Sequence, residues 1–122
     1  MAWSLKFNTK YKLVELTYTG IVSATDLKEA FVEAASLATA KSTTLFLTDC
    51  TQLKGGHSIT DLYSYISLYE ENHVHKMKEA LVIPSQKWIK EYAEFYETAC
   101  LNRGFKVKLF SNAGDGIAWL IS

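Results

Sequence analysis

LVELTYTGIVSATDLKEAF, residues 13–31, changes its periodicity midway. In its first half Val14, Leu16 and Tyr18 alternate with Glu15, Thr17 and Thr19, the two-residue period of a half-buried strand. From Leu27 onward the apolar residues Leu27, Ala30, Phe31, Ala34, Ala35 and Ala38 recur at the spacing of one helical face, with Lys28, Glu29, Glu33 and Ser36 opposite. Gly20 marks the end of the strand. Ser23-Ala24-Thr25-Asp26 then offers a hydroxyl to the free amides of a helix start and an acid three residues on. A strand handing over directly to a capped helix is the opening of an α/β fold.

Upstream, Trp3, Leu5 and Phe7 alternate with polar partners, so residues 3–19 form an N-terminal β-hairpin. Downstream, 43–48 and 80–83 are short, almost continuously apolar runs, the composition of strands covered on both faces, and Pro84 closes the second. Residues 50–57, with Gly55-Gly56, are expected as a loop, and Ser58-Ile59-Thr60-Asp61 is a second capping box opening a helix to about residue 72. A third helix spans 86–103, with Gly104 where a left-handed cap is wanted. Phe105, Val107 and Leu109 alternate with Lys106 and Lys108 in the last strand, and Asn112 caps a short terminal helix. The order β-β-α-β-α-β-α-β-α predicts a mostly parallel five-stranded sheet with one antiparallel member and about four helices.

At 122 residues the chain is one domain, long enough to bury about two-thirds of its surface without disulfides. Thirteen basic residues balance thirteen acidic ones, which leaves no electrostatic footprint for nucleic acid, and no basic amphipathic helix offers membrane anchoring. The N-terminal segment lacks the apolar block of a signal peptide, so the protein is expected in the cytoplasm. Cys50 and Cys100 are accordingly expected to be free thiols.

Four features together resemble the SpoIIAA-like proteins, small bacterial relatives of the STAS domain that are also grouped with the lipid-carrying CRAL-TRIO fold: the element order; Gly20-Ile21-Val22-Ser23 entering the first helix; Leu45-Phe46-Leu47-Thr48-Asp49; and Ala80-Leu81-Val82-Ile83 with Phe110 and Ala118-Trp119-Leu120. The resemblance spans the whole chain and implies a STAS-like single domain over 1–122. It implies a non-enzymatic regulatory module that acts by contact with a protein partner. In phosphoregulated STAS domains the kinase target is a serine after an acid at the start of the helix that follows the central strand. Counted from Asp49, Ser58 stands at about that place. His57 replaces the acid, Ile59-Thr60 replace the usual followers, and Gly55-Gly56 loosen the loop. Asp49, Gly55, Gly56, His57 and Ser58 thus form a candidate phosphorylation or partner site.

The residues themselves allow several chemistries. Ser58 is equally an N-cap, and a phosphate there would sit at the positive end of the second helix. Cys50 and His57 around one loop are the ingredients of a thiolate nucleophile, but sequence proximity does not place them together, and no catalytic residue is assigned. His73-Val74-His75 lacks a third ligand, so no metal is expected, and Gly114-Asp115-Gly116 is a turn, so no cofactor is either. The second and third helices are the informative irregularity. Their apolar arcs are wider than a core-facing stripe requires, through Tyr65 and Leu68 beside Tyr69 on one and Trp88, Tyr92 and Tyr96 on the other. Such shoulders suit a small apolar ligand between the helices, a protein surface, a homodimer, or tyrosines with wet hydroxyls.

Overall fold

The computed structural model describes residues 2–71 and 76–122, with backbone alone at 59 and 69–71. The Tyr69 side chain and His73-Val74-His75 therefore lie outside the described residues. The elements follow in the expected order: β1 (Trp3–Asn8), β2 (Leu13–Ile21), α1 (Ala24–Ala40), β3 (Leu45–Gly55), α2 (Ile59–Glu71), β4 (Lys78–Val82), α3 (Lys87–Leu101), β5 (Lys106–Phe110) and α4 (Ala113–Leu120).

Side-chain caps fix the starts of α1, α2 and α4. Ser23 Oγ accepts from the Asp26 amide at 3.1 Å while Asp26 accepts from the Ser23 amide at 2.9 Å. Ser58 and Asp61 repeat the exchange at 3.1 and 2.8 Å. Asn112 accepts from the Asp115 amide at 2.8 Å. These caps satisfy amides that no preceding turn can reach.

One five-stranded sheet runs β1-β2-β3-β4-β5, antiparallel between β1 and β2 and parallel elsewhere. Alternation along the strands divides the core between the two faces. Leu16, Tyr18, Cys50, Leu81 and Val107 join the layer of α1, α2 and α3, while Leu13, Leu47, Ala80 and Val82 pack with Leu120 of α4. The apolar runs at 45–47 and 80–82 are thus covered on both faces, as their composition required. Lys78 pins α4 by donating to the carbonyls of Trp119 at 2.6 Å and Leu120 at 3.2 Å.

Two expectations are corrected. Residues 51–55 are not loop but the continuation of β3, and β2 runs past Gly20 to Ile21. The polar composition of Thr51, Gln52 and Lys54 hid the strand. Its pairing with Thr19, Gly20 and Ile21 survives through register shifts, one of them beside Gly20, whose φ of 71° takes up the irregularity. Nor is the glycine pair loose. Val22 donates to Gly55 O at 2.7 Å, and a Cβ on Gly56 would stand 2.6 Å from Val22 O. Gly56 is needed twice, for its φ of 111° and for that close approach.

Gly56→Ala should therefore cost more stability than Gly104→Ala. Position 104 is also left-handed (φ 83°) but has open space around a new Cβ. Urea unfolding should show about 1–2 kcal/mol for Gly104→Ala and clearly more for Gly56→Ala.

Candidate functional site

Between α2, α3 and the helical face of the sheet lies a cavity of about 70 Å³, open on one side to solvent. At roughly 10–15 Å³ per water it has room for a few waters or one compact organic group. Its walls are Tyr18 from β2, Cys50 and Leu53 from β3, Leu62 and Tyr65 from α2, and Ile89, Tyr92 and Tyr96 from α3. Trp88 stands at the rim beside Gly55, whose Cβ position is 3.7 Å from the indole.

The expected apolar shoulders sort themselves here. Tyr65 is 8% exposed and Tyr96 5%, so both belong to the core rather than to a shoulder. Tyr92 is half-buried and Trp88 is 42% exposed, the two meeting edge to face at 6.0 Å. Tyr65, Trp88, Tyr92 and Tyr96 all line one cavity.

The floor is polar. Glu79, alternating with Ala80 and sharing the helical face with Leu81, is 4% exposed. Thr48 Oγ1 donates to its Oε2 at 2.6 Å and the Tyr96 hydroxyl donates to its Oε1 at 2.5 Å. No lysine or arginine lines the cavity among the described residues. Burial raises the Glu79 pKa above the usual carboxylate value, and the two hydrogen bonds only partly oppose this. Beside it lies the buried Tyr18 hydroxyl, with the Tyr65 phenol and the Cys50 thiol for neighbours. Desolvation, and then those neighbours, hold its pKa well above the ordinary phenol value.

The expected loop site is divided by the strand that replaces the loop. Cys50 and Asp49 are adjacent on β3 and point to opposite faces. Cys50 walls the cavity; Asp49 instead accepts from the Thr51 amide at 2.8 Å and the Thr51 hydroxyl at 2.6 Å. Burial, with Glu79 and then Asp49, pushes the Cys50 thiol far above its ordinary pKa. It is a packed thiol, and the thiolate needed for a Cys-His nucleophile is disfavoured. His57 lies at the cavity rim with Nδ1 2.9 Å from Val22 O; a carbonyl only accepts, so Nδ1 carries the proton. Its own carbonyl accepts from the Tyr92 hydroxyl at 3.3 Å. Ser58 is exposed at the start of α2, outside the cavity. Thr48, Glu79 and Tyr18 were not singled out by sequence. The available signal was parity: Glu79 shares its strand face with Leu81, an acid where an apolar residue is the rule.

The sequence model of the SpoIIAA-like family matches residues 13–121. Among solved structures, an uncharacterised protein with a SpoIIAA-like fold from Shewanella loihica is 19% identical, with a TM-score of 0.65 over 98% of this chain and 92% of that one. The anti-sigma factor antagonist SpoIIAA in its unphosphorylated form is 12% identical, with a TM-score of 0.61 over 97% and 96%. At these identities the likeness establishes the shared fold. No curated protein matches the sequence.

The acid on the floor generates a pH signature. A carboxyl whose folded pKa lies above its unfolded one contributes fully below the unfolded value, near 4.3, and that contribution is lost as pH rises through the folded value. Glu79→Gln should match the parent near pH 4 and exceed it in stability at pH 8, read by urea unfolding at both. Tyr96→Phe, which strips a donor from the buried acid, should cost about 1–3 kcal/mol at pH 8.

Proposed function

Because the chain belongs to the SpoIIAA-like family, we propose that it is a non-enzymatic binding module, and that what it binds is a small, largely apolar molecule held between α2, α3 and the sheet. The cavity ringed by Tyr65, Trp88, Tyr92 and Tyr96 carries this reading. A mostly apolar concavity with a few convergent polar groups is the usual form of a small-molecule site. The two unbridged thiols suit a reducing compartment, and we place the module in the bacterial cytoplasm.

A second reading, contact with a protein partner gated at Ser58, is supported by the exposure of that residue and by two large exposed aromatics nearby, Tyr63 at 46% and Trp88 at 42%. A phosphate on Ser58 would have to share the first turn of α2 with the Asp61 carboxylate that already accepts from the Ser58 amide. Modification would thus dismantle the capping box, which gives a switch its mechanical consequence. The same aromatics would serve a homodimer.

Native mass spectrometry of protein purified from its own host separates the two. The ligand reading expects a retained non-covalent mass that disappears in Ala93→Phe, a substitution that fills the cavity at about 1–3 kcal/mol of overpacking. A bare chain, or an adduct retained equally by the filled variant, overturns it. For the second reading, Ser58→Ala should cost about 0.5–2 kcal/mol as a lost N-cap. Ser58→Asp should then bind the partner differently from Ser58→Ala; equal binding overturns the gate.

A further inference from the structure

Given the ligand reading, on which this inference rests, the carboxyl on the cavity floor specifies more about the occupant than that it is largely apolar. Thr48, Glu79 and Tyr96 all line the cavity, so the hydrogen-bonded cluster they form is part of its wall and not only of the core behind it. Glu79 Oε2 accepts from the Thr48 hydroxyl at 2.6 Å and Oε1 from the Tyr96 hydroxyl at 2.5 Å. An ionised carboxyl offers about four lone-pair sites, so two hydroxyls leave it able to accept further bonds. The two hydroxyl oxygens keep lone pairs of their own. The cluster is therefore rich in acceptors, while its hydroxyl protons are already directed at Glu79.

Charge points the same way. Glu79 is 4% exposed, and no lysine or arginine stands on the described lining to balance it. The loss of hydration that raises its pKa is incurred on folding, so an entering cation meets a negative group already oriented and stripped of water. An anion would meet the same group as a repulsion. The walls suit a cation as well. Tyr65 and Tyr96 have ring centroids 6.3 Å apart with planes inclined at 47°, and Trp88 meets Tyr92 edge to face at 6.0 Å. All four rings line the cavity, and aromatic faces attract an ammonium group that has left water. The volume of about 70 Å³ limits the buried part to a compact group of a few heavy atoms, with any longer portion leaving past Trp88 and His57.

We propose that the occupant is a compact alkylamine in its ammonium form, whose N–H groups bond Glu79 and the hydroxyl oxygens of Thr48 and Tyr96 while its apolar body lies against Tyr65, Ile89 and Tyr92.

The probes are isobutylammonium chloride, isobutanol and sodium isobutyrate, which share a branched apolar body and differ in the charge of the head. Each is titrated into the full chain and into Glu79→Gln at pH 8, where an alkylammonium keeps its proton. Binding is read from the NMR shift of the Trp88 indole N–H, with the indoles of Trp3 and Trp119, outside the cavity lining, as internal controls. In the parent protein the ammonium should bind about tenfold to a hundredfold more tightly than the alcohol, the range of a hydrogen bond to a charged group. Isobutyrate should bind more weakly than either. In Glu79→Gln, which keeps the size of the side chain and removes its charge, the ratio of ammonium to alcohol affinity should fall to near one. An alcohol or an isobutyrate that binds as tightly as the ammonium in the parent protein overturns the proposal without recourse to any variant, and leaves the ligand reading standing. A preference for ammonium that survives in Glu79→Gln overturns it as well. If none of the three probes moves the Trp88 signal, the ligand reading fails and this proposal with it.

Discussion

A carboxyl group with no lysine or arginine beside it among the described residues of the cavity lining sits under the helical layer, and the arrangement around it depends on how it is held. Glu79 belongs to β4, Thr48 to β3 and Tyr96 to α3, so the two hydrogen bonds that meet at the carboxyl tie neighbouring strands to the helix above them. An apolar residue at 79 would avoid the desolvation that the acid incurs. What the acid provides in return is position: it fixes the Tyr96 hydroxyl, and with it the height of α3, through directional bonds rather than through contact alone. The cavity beside it is the space that this polar floor leaves unfilled.

The rim is fixed by a different device. Gly55, Gly56 and His57 are stitched to Val22 through two backbone-directed bonds and one close approach, which joins the ends of β2 and β3. Tyr92 then reaches across from α3 to the His57 carbonyl. Ser58 follows immediately and starts α2. The start of α2 and the edge of the cavity are therefore one continuous segment.

Most of the architecture was legible because its signals are local. The capping boxes at Ser23 and Ser58, the hairpin alternation and the left-handed Gly104 each decide their own few residues, and nothing distant overrides them. The extension of β3 to Gly55 was not legible, since Thr51, Gln52 and Lys54 owe their strand to pairing with β2 rather than to their own preference. The cavity was half legible. Tyr65, Trp88, Tyr92 and Tyr96 stood out as aromatic excess on two helices, whereas Glu79 and Tyr18 lie on strands, and their meeting is a product of sheet order. Asp49 and Cys50 do not act as a pair for the same reason: once the segment is a strand, adjacent residues part company.

Strands laid down in the order of the chain leave two open edges, at β1 and β5. Both carry exposed lysines, Lys6 on the first and Lys106 and Lys108 on the second. Two copies approaching β5 to β5 would bring like charges across the new seam, and the same holds more weakly for β1. Charges so placed disfavour growth of the sheet by strand addition. Any self-association is thereby steered away from the edges and toward the helical layer, where Tyr63 and Trp88 are exposed.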